Sequence, residues 1–412
     1  VVEESFIISY NIDVNTVWRV IFMSFVKNKK ICIVNTCTVT NQADSKSRKL
    51  IRSLRRKYPN SLVVAVGCMM QNKQDDLDLD IDIALGNKDK SKIVEYIENF
   101  KEKTSKFYDI GSMEFEDMTL NNSDLTRAYI KIEDGCDNYC AFCVIPYVRG
   151  HVRSKKWEKV IEEARNLISL GHREIVLTGI HTGHYHDGNV DLSSLLEKMS
   201  TLDGLERIRI SSIEITELND KFLKVLKDNK IIVNHMHIPL QSGSDIVLKN
   251  MNRKYDTDYF KKKIKKIRSI RPDINITTDV IVGFPGETLG NFEETVDTIK
   301  EIGFSKIHVF PYSKREGTVA ASMKNQIDGN EKRRRVKKLL ELSKELELIY
   351  MQKHLNKNID FIAEIYKDGY LYGHTENFLY IKAKGRQANL KKTISVITKE
   401  IEYPCIVSKI ND

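Results

Sequence analysis

A three-part α/β protein is predicted from the way hydrophobic periodicity changes along this 412-residue chain. Short continuous apolar runs alternate with amphipathic stretches over residues 30–100, and the alternation returns in longer units over 129–310. Period-two runs separated by Lys and Gly take over after about residue 358. Continuous apolar runs suit parallel strands covered on both faces, and period-two runs suit strands with one wet face. The expected architecture is a small N-terminal parallel α/β sheet, a central partial (β/α)6 barrel and a small C-terminal β-barrel.

In the first part, residues 30–34, 62–66 and 81–85 read as strands, and 39–58 and 91–100 as helices. Residues 101–124 are polar and poorly periodic, so they read as a linker. Strands of the second part are expected at 129–132, 174–177, 207–210, 233–238, 276–282 and 306–310. Helical patterns such as 157–170 and 291–302 lie between them, with Gly171 and Gly303 where C-terminal caps belong. Six βα units in succession place the chemistry at the C-terminal strand ends. Residues 330–355 read as one long amphipathic helix with Val336, Leu339, Leu340, Leu346 and Ile349 near one face. Strands at 359–364, 371–373, 378–383 and 393–398 build the last module. The expected domains are 1–103, a linker 104–125, a barrel with its closing helix 126–355, and a β domain 356–412.

Hydrophobic residues make up 41% of the chain and charged residues 30%, which excludes a disordered or membrane class. The apolar stretch 17–26 is interrupted by Arg19, is too short to span a bilayer and lacks the features of a signal peptide. The chain reads as cytoplasmic with no membrane partner. Its formal charge of +9 is concentrated in two runs. One is Lys261, Lys262, Lys263, Lys265 and Lys266, and the other is 332–335 with Lys337 and Lys338. Charge alone leaves an RNA surface and a solvated helix face equally open.

Three of the seven cysteines fall within eight residues, in Gly135-Cys136-Asp137-Asn138-Tyr139-Cys140-Ala141-Phe142-Cys143. In a cytosolic chain this favours metal chemistry over disulfides. The spacing C-x3-C-x2-C after a predicted strand suits a [4Fe–4S] cluster with one iron left open. A structural zinc would want a fourth ligand, and His151 is the nearest candidate.

This loop resembles that of the radical S-adenosylmethionine (SAM) superfamily. The resemblance implies that Cys136, Cys140 and Cys143 are catalytic, holding a cluster whose open iron binds SAM and cleaves it to a 5′-deoxyadenosyl radical. It also implies SAM contacts at Thr178 and Gly179, in the segment 177–179, and at Gly283 and Gly286, in the segment 279–287. More narrowly, segments 35–48 around Cys37 and 66–71 around Cys68 resemble the methylthiotransferase family, whose N-terminal domain binds a second [4Fe–4S] cluster for sulfur. Both cysteines follow predicted parallel strands, and spacing alone leaves buried structural cysteines equally open. Segments 177–183, 209–214, 234–243 and 309–314 are similar to the branch that acts on N6-threonylcarbamoyladenosine beside the tRNA anticodon. The terminal module is similar to the family's TRAM domain, an RNA-binding barrel.

The implied reaction uses two SAM molecules. One methylates sulfur at the N-terminal cluster, and the other yields the radical that removes hydrogen from adenine C2. The implied partners are the tRNA anticodon loop and an electron donor such as flavodoxin or ferredoxin; the sulfur donor is not identified by the sequence. The family's first sulfur-cluster cysteine would fall at or before Val1, so the expectation is that either the N-terminal domain lacks its start or the second cluster is incomplete. Cys32 lies an odd offset from Cys37 on a predicted strand and reads as buried filler, and Cys405 as structural. His181, His184 and His186 read as surface or substrate contacts rather than a metal set. His235 and His237 share a strand face directed into the barrel. Arg149, Arg153 and Glu214 are candidate SAM or substrate contacts. Two other readings stay open: a radical SAM enzyme acting on a ribosomal protein or another adenosine, and a catalytically impaired RNA-binding homologue.

Overall fold

The computed structural model describes residues 3–8, 21–26, 29–72, 78–107, 111, 114–118 and 125–411, with side chains from residue 30 onward. It divides into two compact units. Residues 135–153 and 313–322 group with 1–118, and the rest of the chain forms the other unit.

The first unit is built on a six-stranded sheet in chain order: β1 Glu3–Ile8, β2 Ile21–Val26, β3 Lys29–Thr36, β4 Leu62–Gly67, β5 Ile83–Leu85 and β6 Thr104–Lys106. The expected parallel sheet is present as β3 to β6. Two antiparallel strands, β1 and β2, extend it on the β3 side. β6 occupies the start of the expected linker and pairs with β5 as an edge strand. Alternate residues of β3 and β4 feed two separate cores, as a pleated strand requires. Cys32, Val34, Val63 and Ala65 pack with Ile51 and Leu54 on one face, while Ile31, Leu62, Val64 and Val66 pack with Ile83, Leu85 and Ile97 on the other. Helix α1, Asn41–Lys57, starts where the Thr40 hydroxyl accepts from Ala43 N at 3.1 Å, with Asp44 in its first turn and three cations in its last. The short helices α2, Cys68–Asn72, and α3, Ile93–Glu98, follow β4 and β5.

In the second unit, six parallel strands form two three-stranded sheets. They are β7 Ala128–Lys131, β8 Glu174–Thr178, β9 Arg207–Ile210, β10 His235–His237, β11 Asn275–Val282 and β12 Lys306–Pro311. Ile208 bridges to Ile232 and Ile213 N donates to His237 O at 3.1 Å, so the β9 edge continues into the β10 edge. The observed strands match the expected ones to within two residues at each end. Gly303 caps its helix in the left-handed region at φ +66°. The long helix is present as Gly329–Gln352, but its buried stripe is Arg335, Leu339, Leu342, Ser343 and Met351. Leu340 and Ile349, placed on that face by the sequence, are exposed. The final module is a closed five-stranded barrel that includes Cys405–Ile410, a strand the sequence reading missed. Cys405 is buried in it.

A loop of this β-barrel closes the N-terminal end of the parallel strands. Phe378 stacks on His235 at 5.0 Å and on His374 at 4.5 Å, and the Arg127 and Arg209 guanidinium groups lie over its ring. Arg209 is buried, bonds Glu174 at 2.6 Å and donates to Glu376 O at 3.2 Å. Asn275 Nδ2 donates to Asn377 O at 2.6 Å.

Candidate active site

Cys37 and Cys68 are side by side because of sheet register. Thr36 pairs with Gly67 at the ends of the parallel strands β3 and β4, and each cysteine is the next residue. Gly67 is required here: its φ is +107°, and a Cβ would lie 2.7 Å from Thr36 O. Cys37 Sγ accepts from Val39 N at 3.5 Å. Cys68 is buried and receives Arg149 Nε at 3.3 Å and Asn87 Nδ2 at 3.6 Å. Burial pushes the Cys68 thiol up, but the Arg149 and Lys90 charges outweigh it and hold it below its ordinary value. Burial raises the Cys37 thiol, with Arg149 and Arg315 opposing. Arg315 is itself buried, donates to Thr38 and Asn41, and lies 3.5 Å from Asp44. The arrangement is two adjacent thiols among guanidinium groups, which suits an anionic thiolate site.

The three-cysteine loop is an irregular turn held by backbone. Gly135 has φ +89°, and a Cβ there would sit 2.0 Å from His151 O. Cys136 N donates to Gly150 O at 3.0 Å, Cys143 N to Cys140 O at 2.9 Å and Ala320 N to Ala141 O at 2.8 Å. All three cysteines are partly exposed. Soft thiolates on an accessible glycine-hinged loop fit a four-iron cluster with an open iron. The zinc alternative fails at its fourth ligand. His151 Nδ1 is 2.6 Å from Asp137 Oδ1, its side chain is 70% exposed, and it shares no single-ion group with the cysteines among the described residues. Helix α4, Ile145–Arg149, leaves this loop and delivers Arg149 to Cys68. Arg153 braces the same loop, donating to His151 O at 3.0 Å and Glu114 O at 3.2 Å. Cys32 is fully buried and its thiol is raised by burial, as filler should be.

The other predicted residues lie at C-terminal strand ends of the second unit. Thr178 ends β8 and Gly179 follows, packed so closely that a Cβ would meet Glu133 Oε2 at 2.7 Å. Glu133 is fully buried, accepts from His181 N at 2.6 Å, and is pushed up to about 7 chiefly by burial. Gly283 and Gly286 follow β11 with φ +71° and +81°. Gly283 N donates to Glu287, whose Oε2 is 2.9 Å from the buried Arg335. Glu214 forms an ion pair with the buried Arg253. His235 is turned toward Phe378 at the opposite strand end, and His237 lies 2.9 Å from Thr277 Oγ1 and 3.2 Å from Asp279. Sequence reasoning missed Asn87, Arg315, Glu133 and Glu217. Asn87 alone carried a signal, since it lies just past β5 as Cys37 and Cys68 lie just past β3 and β4.

A three-thiol loop beyond the first strand of a parallel βα barrel defines the radical SAM class of enzyme, and residues 130–299 match the Radical SAM superfamily model. Residues 20–86 match a family described as uncharacterized protein family UPF0004. The chain is 39% identical over 395 residues to the threonylcarbamoyladenosine tRNA methylthiotransferase MtaB of Bacillus subtilis, covering 92% of this chain and 88% of that one. The protein of that name in Thermotoga maritima is 38% identical, covering 85% and 82%. A tRNA-2-methylthio-N(6)-dimethylallyladenosine synthase of Endomicrobium trichonymphae is 34% identical, covering 90% and 88%. The chain therefore belongs to the radical SAM tRNA methylthiotransferase family, an enzyme family that uses SAM and a [4Fe–4S] cluster. Among the described residues no helix is long and apolar enough to cross a membrane.

Proposed function

We propose that the protein transfers a methylthio group to C2 of N6-threonylcarbamoyladenosine at position 37 of tRNA, giving ms2t6A. The observation that carries this reading is the pairing of two thiol sets in one compact unit. Cys37 and Cys68 stand at adjacent strand ends, and the helix leaving the Cys136, Cys140 and Cys143 loop contributes Arg149 to Cys68. The relatives named for threonylcarbamoyladenosine, at 36–39% identity, favour that base over the dimethylallyl one, at 33–34%.

When bound, a cluster on the three-cysteine loop supplies the electron that cleaves SAM, which an unreactive aromatic C–H demands. Cys136, Cys140 and Cys143 hold it and leave one position for SAM. Thr178 and Gly179 would offer backbone to the methionine part, and the turn through Gly283 and Gly286 after β11 would offer backbone to the adenosine part. Cys37 and Cys68, together with a further ligand beyond these two, would hold the sulfur-carrying cluster, whose negative charge Arg149 and Arg315 would balance. The target base lies in an anticodon loop, where it is unpaired or cheaply flipped, and the C-terminal barrel holds the RNA. A flavodoxin- or ferredoxin-type reductant and an unidentified sulfur donor complete the set.

The test compares wild type with the Cys136→Ala/Cys140→Ala/Cys143→Ala variant after anaerobic reconstitution. Iron should fall from about eight to about four per chain, and 5′-deoxyadenosine formation should be abolished. Nucleosides of tRNA from cells lacking the gene should show t6A in place of ms2t6A, restored by wild type alone. Unchanged ms2t6A in those cells would refute the assignment, and loss of a methylthio-dimethylallyladenosine instead would move the enzyme to the other tRNA branch. About four irons falling to none would leave SAM cleavage intact and remove the sulfur cluster from the proposal.

A further inference from the structure

Outside both cysteine sites, one group of described side chains can reach a single metal ion. It consists of His181, His184 and Glu217, with one ligand atom from each lying within 4.8 Å of the others. The geometry follows from local structure. Thr182–His184 form a 3-10 turn, in which residues three apart eclipse. The rings of His181 and His184 consequently lie 3.8 Å apart, tilted by 36°. Both present Nε2 to one carboxylate: His181 to Glu217 Oε2 at 3.2 Å and His184 to Oε1 at 3.4 Å.

The surroundings are shaped for that carboxylate. Gly183 leaves the space it occupies, since a Cβ would lie 2.6 Å from Glu217 Cγ and 2.7 Å from its Cβ. The turn is fastened by Thr182, whose hydroxyl donates to Ser212 O. Glu217 is fixed by its own N–H donating to Glu214 O at 3.1 Å and by Thr216 Oγ1 donating to Oε1 at 2.7 Å. His181 and Glu217 are nearly buried, while His184 is 38% exposed and opens the group to solvent. Burial opposes ionisation of Glu217, yet the two histidines hold its carboxyl well below the usual range.

An ordinary ion pair needs one imidazolium for one carboxylate. A second cationic ring stacked at 3.8 Å would repel the first, so two histidines per carboxylate are better matched to a divalent ion than to protons. Two imidazoles and a carboxylate are a donor set for zinc and other first-row divalent ions, with three protein ligands leaving a position open. We propose that His181, His184 and Glu217 bind one divalent transition-metal ion of the zinc class, distinct from the iron–sulfur sites, at the C-terminal end of β8.

The test uses the iron-loaded enzyme, stripped of loose metal by chelator, equilibrated with Zn2+ alone and desalted. Wild type should retain about one zinc per chain beyond its iron, with affinity lowered at least about tenfold in His184→Gln and Glu217→Gln. Gly183→Ala, which drives Glu217 out of its space, should weaken binding as well. Because His184 is on the surface, His184→Gln keeps the fold, and unchanged iron content and melting temperature would verify that. Equal zinc binding by wild type and His184→Gln overturns the proposal. Zinc that disappears with the cysteine triple variant belongs to the thiols and overturns it too.

Discussion

Arg149 and Cys68 are separated by 81 residues, yet the guanidinium Nε donates to the sulfur at 3.3 Å. The contact joins the loop of one thiol set to the strand-end pair of the other. The sequence Ile145–Arg149 therefore has two tasks: it ends the three-cysteine loop and brings a positive charge to the Cys37 and Cys68 strand ends. Arg315, from a third stretch of chain grouped in the same unit, adds a second cation, and this one is buried.

Arg149→Ala should selectively weaken iron binding at the cluster proposed for Cys37 and Cys68. A hydrogen bond to a charged group contributes about 1.5–3 kcal/mol, and its loss leaves the Cys68 sulfur with Asn87 as its side-chain donor and Lys90 as a nearby charge. Under limiting iron, reconstituted Arg149→Ala should hold about four irons rather than about eight, with 5′-deoxyadenosine formation retained. Arg149→Lys should recover part of the difference. Equal iron in all three proteins would show that the guanidinium is not needed.

Phe378→Ala should detach the C-terminal barrel from the parallel strands. The ring stacks on two histidines and lies near two guanidinium groups, so its truncation should cost about 2–3 kcal/mol. Limited proteolysis should then cut between the two parts, near the end of Gly329–Gln352, at rates that leave wild type intact. Unchanged protease resistance would mean that the backbone contacts of Asn275 and Arg209 suffice.

The elements easiest to find from sequence were those whose own residues settle them. Leu62–Gly67 is apolar throughout because both faces are covered, and Thr40 with Asp44 marks the start of a helix without tertiary help. The three-cysteine loop is also local, so spacing identified it. What sequence did not give depends on register and long-range packing. Nothing in the order of residues pairs Thr36 with Gly67, brings Arg315 to Asp44, or aims Glu217 into the gap left by Gly183. The long helix shows the same limit: its apolar pattern offers two stripes, and contact with β12 buries Leu342 and Ser343 rather than Leu340. The basic runs show a related limit. Lys261, Lys262 and Lys266 pair with Glu301, Asp258 and Asp220, and Arg335 is buried against Glu287, so much of that charge is neutralised within the fold.

Acidification should loosen the junction around Phe378. His235 is held well below its ordinary value, and His354 and His374 are lowered, in each case chiefly by burial. In the unfolded chain these rings take up protons near pH 6.5, while in the folded chain they stay neutral to lower pH. The unfolded state then binds more protons, so stability falls as pH drops below about 6.5. Glu133, pushed up to about 7, has the opposite sign, because its folded form holds a proton that the unfolded form releases above about 4.5. The readout is therefore a difference: melting temperature should fall less between pH 7 and 5 in His235→Gln than in wild type. Parallel pH curves would remove His235 as a contributor.

RNA binding should depend more on the C-terminal barrel than on either basic run. Lys384, at the end of one strand of that barrel, and Arg386, Lys391 and Lys392, on the connection to the next strand, are all exposed. Cations that meet phosphate release counterions, and each lost contact lowers the salt slope of binding by about one. Lys391→Glu/Lys392→Glu should weaken tRNA binding about tenfold or more at moderate salt and flatten the dependence on salt concentration by about two. Lys261→Ala/Lys262→Ala/Lys266→Ala, which removes cations already satisfied by carboxylates, should change neither quantity appreciably. Binding measured by filter retention at several salt concentrations separates the two cases. A flat slope in the second variant and an unaltered one in the first would instead place the tRNA backbone along helix Thr257–Ile270.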